Sequence, residues 1–263
     1  MNSSTKQPIG LFDSGIGGTS IWKEIHELLP NESTIYLADS KNAPYGQKTE
    51  DEILQVSIKN TEFLLERNCK LIVVACNTAT TNAIKHLRAH YNVPFIGIEP
   101  AIKPASLNTK TNTIGILATK GTLNSNLFAN TSNIINTKVK IVEQIGEGLV
   151  ELIEGGKLDS SEMTQLLKKH LHLLTKHTID YLVLGCTHYP YLIPQIKAII
   201  DSNINIIDSG QAVAKQTKKI LEKNNLLHSQ NSKTENIFYS NTNTKVLKAV
   251  LNNSNVIVEK LNF

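Results

Sequence analysis

Cysteine is scarce in this sequence, with three in 263 residues. That number cannot build the disulfide framework of a secreted domain, so free thiols and a reducing, intracellular setting are expected. Arginine is scarcer still. Arg67 and Arg88 are the two arginines among 27 basic residues, and the lysines that make up the rest form no basic block and do not interleave with aromatics. Guanidinium forks for bidentate phosphate or guanine contacts are nearly missing, so the net charge of +4 reads as solvated faces and no nucleic-acid partner is expected. Long apolar runs are also missing. The strongest, such as Leu71–Cys76, is far too short to span a bilayer, and Met1–Pro8 lacks the apolar stretch of a signal peptide. No membrane partner is expected.

What the chain does contain is an alternation. Short runs rich in Ile, Val and Leu are separated by longer stretches of helical periodicity, the pattern of βαβ units around a buried parallel sheet. The runs predict strands at Ile9–Phe12, Thr34–Ala38, Leu71–Ala75, Val93–Ile98, Ile114–Leu117, Val139–Val142, Tyr181–Gly185 and Ile204–Ile207. Helices are expected at Thr19–Leu29, Thr49–Arg67, Thr78–His90, Ser160–Lys176 and Tyr191–Ile200. The tail predicts a helix at Gln211–Glu222, a polar link Lys223–Asn236, and strands Ile237–Ser240 and Val256–Val258 around a helix Lys245–Leu251.

The eight strands form two sets of four. Ile9 matches Ile114 and Thr34 matches Val139, both at an offset of 105; Leu71 matches Tyr181 at 110 and Val93 matches Ile204 at 111. A period above 100 residues means two whole domains and not a solenoid. The expected fold is therefore α/β, with two pseudo-symmetric domains, each a mostly parallel sheet flanked by helices, and a cleft between them. The Asn/Thr-rich stretch Leu107–Thr113 is read as the connector between the halves.

Cys76 and Cys186 end the third strand of each half, at the sheet edge where open α/β folds bind ligands. Each precedes a polar pair and then a helical pattern, Asn77-Thr78 after the first and Thr187-His188 after the second. A thiol at a helix N-terminus is expected to have a lowered pKa. Cys69 has no counterpart in the second half and is read as an inert, buried thiol. Asp13-Ser14-Gly15-Ile16-Gly17-Gly18 follows the first strand and fits neither a dinucleotide fingerprint nor a P-loop. It reads as a tight turn whose N–H groups and Ser14 hydroxyl hold an anion while Asp13 offers a carboxylate. Thr119-Lys120-Gly121-Thr122 occupies the matching corner of the second half, and Pro44-Tyr45-Gly46 forms a turn at the same edge of the first. His188 has no companion ligands for a zinc site, and activating the neighbouring thiol is its better use.

No hydrolase triad, flavin motif, pyridoxal-type lysine signature or metal set is evident, so no cofactor and no metal are expected. Two like acid–base groups on opposite sides of one substrate suit a specific chemistry: a proton leaves one face of a carbon and another returns to the opposite face.

At these residues the sequence resembles the glutamate racemases of the aspartate/glutamate racemase superfamily. The resemblance covers nearly the whole chain and rests on Phe12–Gly18, Pro44-Tyr45-Gly46, Ala75–Ala79, Ile98-Glu99-Pro100 and Leu184–Pro190. Gly-Cys-Thr-His together with Asp-Ser-Gly-x-Gly-Gly favours glutamate over aspartate; a racemase for aspartate and a non-catalytic amino-acid binding protein are the alternatives.

The resemblance implies cofactor-independent interconversion of L- and D-glutamate. Cys76 would serve D-glutamate and Cys186 L-glutamate as proton acceptor. Asp13, Ser14, Tyr45, Gly46, Asn77, Thr78, Thr187 and His188 would hold the substrate, with Thr122 a further carboxylate contact. Asp13 and His188 would poise the thiols, and Glu154 matches a further acidic residue near the site. The sequence departs from the family pattern at Glu151, where Pro is common, at Gly146, where small or sulfur residues are frequent, and at Phe128, in place of an aromatic hydroxyl. Residues 1–98 with 211–263 would form the first domain and 99–210 the second. Cytoplasmic supply of D-glutamate for peptidoglycan, and the dimerisation common in the family, complete what the resemblance implies.

Overall fold

The structure, a computed structural model, describes residues 3–134, 138–228, 234–252 and 255–263. Strand β1 (Ile9–Asp13) leads through the glycine turn into α1 (Thr19–Leu28). Then follow β2 (Thr34–Ala38), α2 (Glu50–Glu66), β3 (Leu71–Val74), α3 (Asn77–His90), β4 (Phe95–Gly97) and α4 (Ile102–Asn108). The second half holds β5 (Thr113–Ala118), α5 (Lys120–Leu123), α6 (Asn126–Ile134), β6 (Lys140–Ile145), α7 (Leu149–Glu154), α8 (Ser161–Thr175), β7 (Tyr181–Gly185), α9 (Ile193–Lys197) and β8 (Asn205–Ile207). The tail supplies α10 (Gly210–Lys223), β9 (Asn236–Ser240), α11 (Lys245–Leu251) and β10 (Ile257–Lys260).

These strands form two sheets, ordered β10-β9-β2-β1-β3-β4 and β6-β5-β7-β8. Every pairing is parallel. All residues of β1, β2 and β3 are buried, which is why their sequences are continuous apolar runs and do not alternate. The order β2-β1-β3-β4 recurs as β6-β5-β7-β8, so the offsets of 105 to 111 residues reflect a repeated topology. In each half the chain direction of the winding reverses between the first and third strands. That switch point opens a crevice at the strands' carboxyl ends, and Cys76 follows β3 there as Cys186 follows β7.

Three local findings refine the sequence reading. The expected helix Tyr191–Ile200 is a 3₁₀ turn, Tyr189–Leu192, followed by the short α9. Pro190 and Pro194 stand in the first turn of each piece; neither can donate the N–H that one continuous helix would need. The strand expected at Val93–Ile98 begins only after Pro94, as β4. Leu107–Thr113 is not the connector between the halves. It joins the end of α4 to β5 inside the second half, because α4 packs on β5 and β7. The chain passes from the first sheet to the second between β4 and α4, and returns between β8 and α10, where the Ser209 hydroxyl binds the Glu99 carbonyl. Within the polar link Lys223–Asn236, positions 229–233 lie outside the described residues.

The halves meet on apolar and polar groups together. One apolar cluster runs from Ile9 and Trp22 through Ile16 and Val150 to Leu182 and Tyr189. Above it, Ser20 Oγ donates to the Thr187 carbonyl at 2.9 Å and the hydroxyls of Thr19 and Tyr191 lie 2.5 Å apart. The start of α1 thus holds the loop that carries Cys186.

Candidate active site

Cys76 and Cys186 line one narrow cavity between the halves, together with Ser14, Tyr45, Gly46, Asn77, Thr78, Thr119, Val150, Thr187 and His188. Each thiol is nearly buried, at 4% and 6% exposure. They belong to different apolar clusters, Cys76 to that of α2 and α3 and Cys186 to the one spanning the halves.

The Cys186 side carries a relay. Cys186 Sγ lies 3.6 Å from His188 Nδ1, and His188 Nε2 lies 2.6 Å from Glu154 Oε1. Glu154 Oε1 also accepts the Ile16 N–H at 2.6 Å, and Oε2 accepts the Ser40 hydroxyl at 2.9 Å. Burial pushes the Glu154 carboxyl up, but His188, the Ile16 N–H and Ser40 outweigh it and hold the pKa below the ordinary value. Burial disfavours the His188 imidazolium, yet Cys186 and Glu154 together raise its pKa well above the usual histidine range. That upward shift favours the imidazolium, the form that can donate both Nε2–H to the carboxylate and Nδ1–H toward the sulfur.

The Cys76 side is built differently. Cys76 caps α3, its sulfur accepting the Ala79 N–H at 3.5 Å, and it lies 3.8 Å from Ser14 Oγ. The lowered thiol pKa expected at a helix N-terminus is not what this environment produces. Burial first, and then the negative charge of Asp13, push the Cys76 thiol well above its ordinary value, against the weaker pull of the Ala79 N–H. Asp13 is fully buried, and burial raises its own pKa despite the His188 charge and the Gly18 N–H, which donates to Oδ2 at 2.7 Å. Cys69, outside the cavity, is pushed by burial up to about 12, as suits an inert thiol.

The glycine turn Gly15–Gly18 is shaped by these side chains. A Cβ on Gly15 would stand 1.9 Å from Glu154 Oε1, and one on Gly17 would stand 2.3 Å from His188 Nδ1. Two of the turn's N–H groups are taken by the protein's own carboxylates, Gly18 by Asp13 and Ile16 by Glu154. Gly17→Ala is expected to drive the imidazole off Cys186, lowering kcat/KM by about 10²-fold while costing about 1–3 kcal/mol of stability. Steady-state kinetics beside urea melts check both numbers.

Other candidates sit around this core. The Tyr45 hydroxyl is turned away from the cavity, donating to Asp39 Oδ2 at 2.5 Å and accepting from Asn60 at 3.2 Å. It is the backbone at Tyr45 and Gly46, not the phenol, that is left to meet a ligand. Thr122 is fully buried behind the wall, 3.4 Å from the Thr78 hydroxyl and 3.0 Å from that of Thr119. Thr119 takes the wall position. The sequence carried that signal, since the 105-residue offset pairs Ser14 with Thr119. Asn77 Nδ2 is buried with no hydrogen-bond partner among the described residues, an amide donor in a cavity wall awaiting an acceptor. Neither arginine takes part: Arg67 stacks on Phe63 and Arg88 binds the Phe95 carbonyl.

The three departures from the family pattern find local reasons. Glu151 accepts a 2.6 Å hydrogen bond from Gln47 of the first half, linking the two halves. At Gly146 a Cβ would meet the Tyr189 hydroxyl at 2.3 Å, which donates to the Gly146 carbonyl. Phe128 is buried in an apolar cluster with Ile102, Ile114 and Ile116.

Residues 9–217 match the model of the family described as Asp/Glu/Hydantoin racemase. The chain belongs to that family. Curated relatives place it among the glutamate racemases of the family. That of Herpetosiphon aurantiacus is 45% identical over 86% of this chain and 89% of its own, and that of Ectopseudomonas mendocina is 41% identical over 95% of each. Solved racemases superpose closely. A glutamate racemase isoform of Bacillus anthracis matches with a TM-score of 0.88 and 31% identity over 98% of both chains. The Escherichia coli glutamate racemase, solved with L-glutamate and the activator UDP-MurNAc-ala, matches at 0.86 and 33% identity, over 97% of this chain and 98% of that one. The chain is thus an isomerase, an amino-acid racemase. Among the described residues no helix is long and apolar enough to cross a membrane.

Proposed function

We propose that this racemase interconverts L- and D-glutamate without a cofactor, Cys186 and Cys76 exchanging the Cα hydrogen across the cavity. One observation supports this above the others: two thiols from equivalent strand ends line a single cavity. In the L-to-D direction the Cys186 thiolate, with the His188 imidazolium as counter-ion, takes the Cα proton. The electron pair left on Cα is shared with the α-carboxylate, whose charge suits the Asn77 amide and the Ser14 and Thr78 hydroxyls. Cys76, kept protonated by burial and Asp13, then donates to the opposite face. In reverse, Asp13 takes the Cys76 proton and the roles exchange.

Glutamate is favoured over aspartate because the relatives cited are glutamate racemases, one of them solved with L-glutamate. On this reading the enzyme supplies D-glutamate for peptidoglycan in the cytoplasm, the role its family resemblance carries. All the residues invoked come from one chain, and a homodimer remains part of this reading. Circular dichroism of L-glutamate with purified protein and no added cofactor should decay to zero, and the same experiment with L-aspartate should not. A constant L-glutamate signal defeats the reading. A non-catalytic binding protein would keep its glutamate affinity after thiol alkylation.

A further inference from the structure

We propose that Ser40 is a positioning residue of this enzyme, its hydroxyl in the first half fixing the Glu154 carboxylate of the second, so that His188 is held on Cys186 only when the halves are together. The inference rests on the two-thiol reading of the site. Ser40 opens a short 3₁₀ turn, Ser40–Asn42, just after β2, and Glu154 is the last residue of α7. Nothing local links them, since they are 114 positions apart in sequence.

Glu154 is oriented from three sides. Its Oε1 takes His188 and the Ile16 N–H, and among the described residues Ser40 is the donor to Oε2. Two of those three donors belong to the first half, whereas His188 and Cys186 belong to the second. The relay is therefore complete only across the interface. Ser40 is itself well anchored. Asp39, buried beside it, donates its N–H to the Asp13 carbonyl at 3.0 Å, and its carboxylate accepts from Tyr45, Asn42 and Asn241. The Lys41 N–H donates to Asn241 at 2.8 Å. The hydroxyl is thus presented by a fixed turn, at little entropic cost.

A neutral donor suits this place. A lysine there would pair with Glu154 and draw its charge from His188, while a hydroxyl fills the second oxygen and leaves the full negative charge facing the imidazolium. The titratable groups that face His188 are Glu154 from α7, Asp13 from β1 and Cys186 in its own loop. Tyr36 of β2 and Tyr191 stand around the same carboxylates. Ser40 carries no charge and touches none of the cavity-lining thiols, so it acts through Glu154.

The test uses the full chain with Ser40→Ala and Ser40→Thr, reading racemisation from both enantiomers and the ¹⁵N titration of His188, assigned by comparison with His188→Asn. Ser40→Ala should lower kcat/KM about 10-fold from either enantiomer and move the His188 midpoint to lower pH. Ser40→Thr should restore both to within about 2-fold. An Ala variant with unchanged rate and midpoint overturns the proposal. So does a rate loss with an unmoved midpoint, which would mark a packing role. If wild type fails to racemise glutamate, the functional reading falls, whereas a midpoint shift on losing the hydroxyl would still report the contact.

Discussion

Cys186→Ala is expected to lose about 10³- to 10⁴-fold in racemisation, and Cys76→Ala a similar factor, because each removes one of two acid–base groups worth that much in rate. The two directions must fall together. The enantiomers have equal free energy in water, so the ratio of the forward and reverse kcat/KM is one for any variant. Asymmetry appears instead in exchange without inversion. In deuterated water Cys186→Ala keeps the thiol that serves D-glutamate and should wash deuterium into D-glutamate while leaving L-glutamate protonated. Cys76→Ala should do the reverse. The surviving exchange should also differ in size. Cys186 keeps a cationic neighbour 3.6 Å away, while Cys76 is pushed up by burial and Asp13, so Cys76→Ala should exchange L-glutamate faster than Cys186→Ala exchanges D-glutamate. Proton NMR of the Cα signal reads all four rates. Equal exchange of both enantiomers by either variant would remove the two-thiol scheme.

Much of this architecture is legible in the chain because parallel strands buried on both faces must be continuous apolar runs. Leu71–Val74 and Tyr181–Gly185 announce themselves, and a cysteine after each marks the switch points. What the sequence hides is what distant segments do to one another. The tail's place was not readable from the residues themselves. It is fixed by β9 pairing on β2, where Thr34 stands opposite Asn236 and its hydroxyl donates to the Asn236 side chain at 2.7 Å. Ser40 was invisible as a functional residue because its partner lies in the other half. Cys76 departs from its local signal for the same reason. The helix N-terminus is a local signal, but the burial and the Asp13 charge that override it arise only when β1 and β3 lie side by side. The glycines at 15 and 17 were readable as a turn, whereas the reason they cannot be alanine comes from side chains that the second half brings.

Glu154→Gln should cost about 10²-fold in kcat/KM at neutral pH, with a deficit that depends on pH in a defined direction. The amide keeps the shape, its one oxygen accepting from Ile16 while its NH2 turns to the Ser40 hydroxyl as donor, but it removes the charge that, with Cys186, lifts His188 against the opposing effect of burial. The His188 pKa must then fall, so at a given pH less of the ring is imidazolium and Cys186 loses part of its cationic neighbour. Lowering the pH re-protonates the ring, so the ratio of variant to wild-type activity should rise as pH falls. Stability follows the same charges. Wild-type His188, raised in the fold, contributes stability fully below its ordinary value of 6.5 and loses it as pH climbs through the folded value. Glu154, lowered in the fold, contributes above its ordinary value of 4.5 and loses that as pH falls through the folded value. The stability gap between wild type and variant should therefore be widest between about pH 4.5 and 6.5 and narrow on both sides. Urea melts across that range, with activity measured on the same samples, test both directions. A deficit that grows toward acid pH would show that the carboxylate serves some purpose other than charging His188.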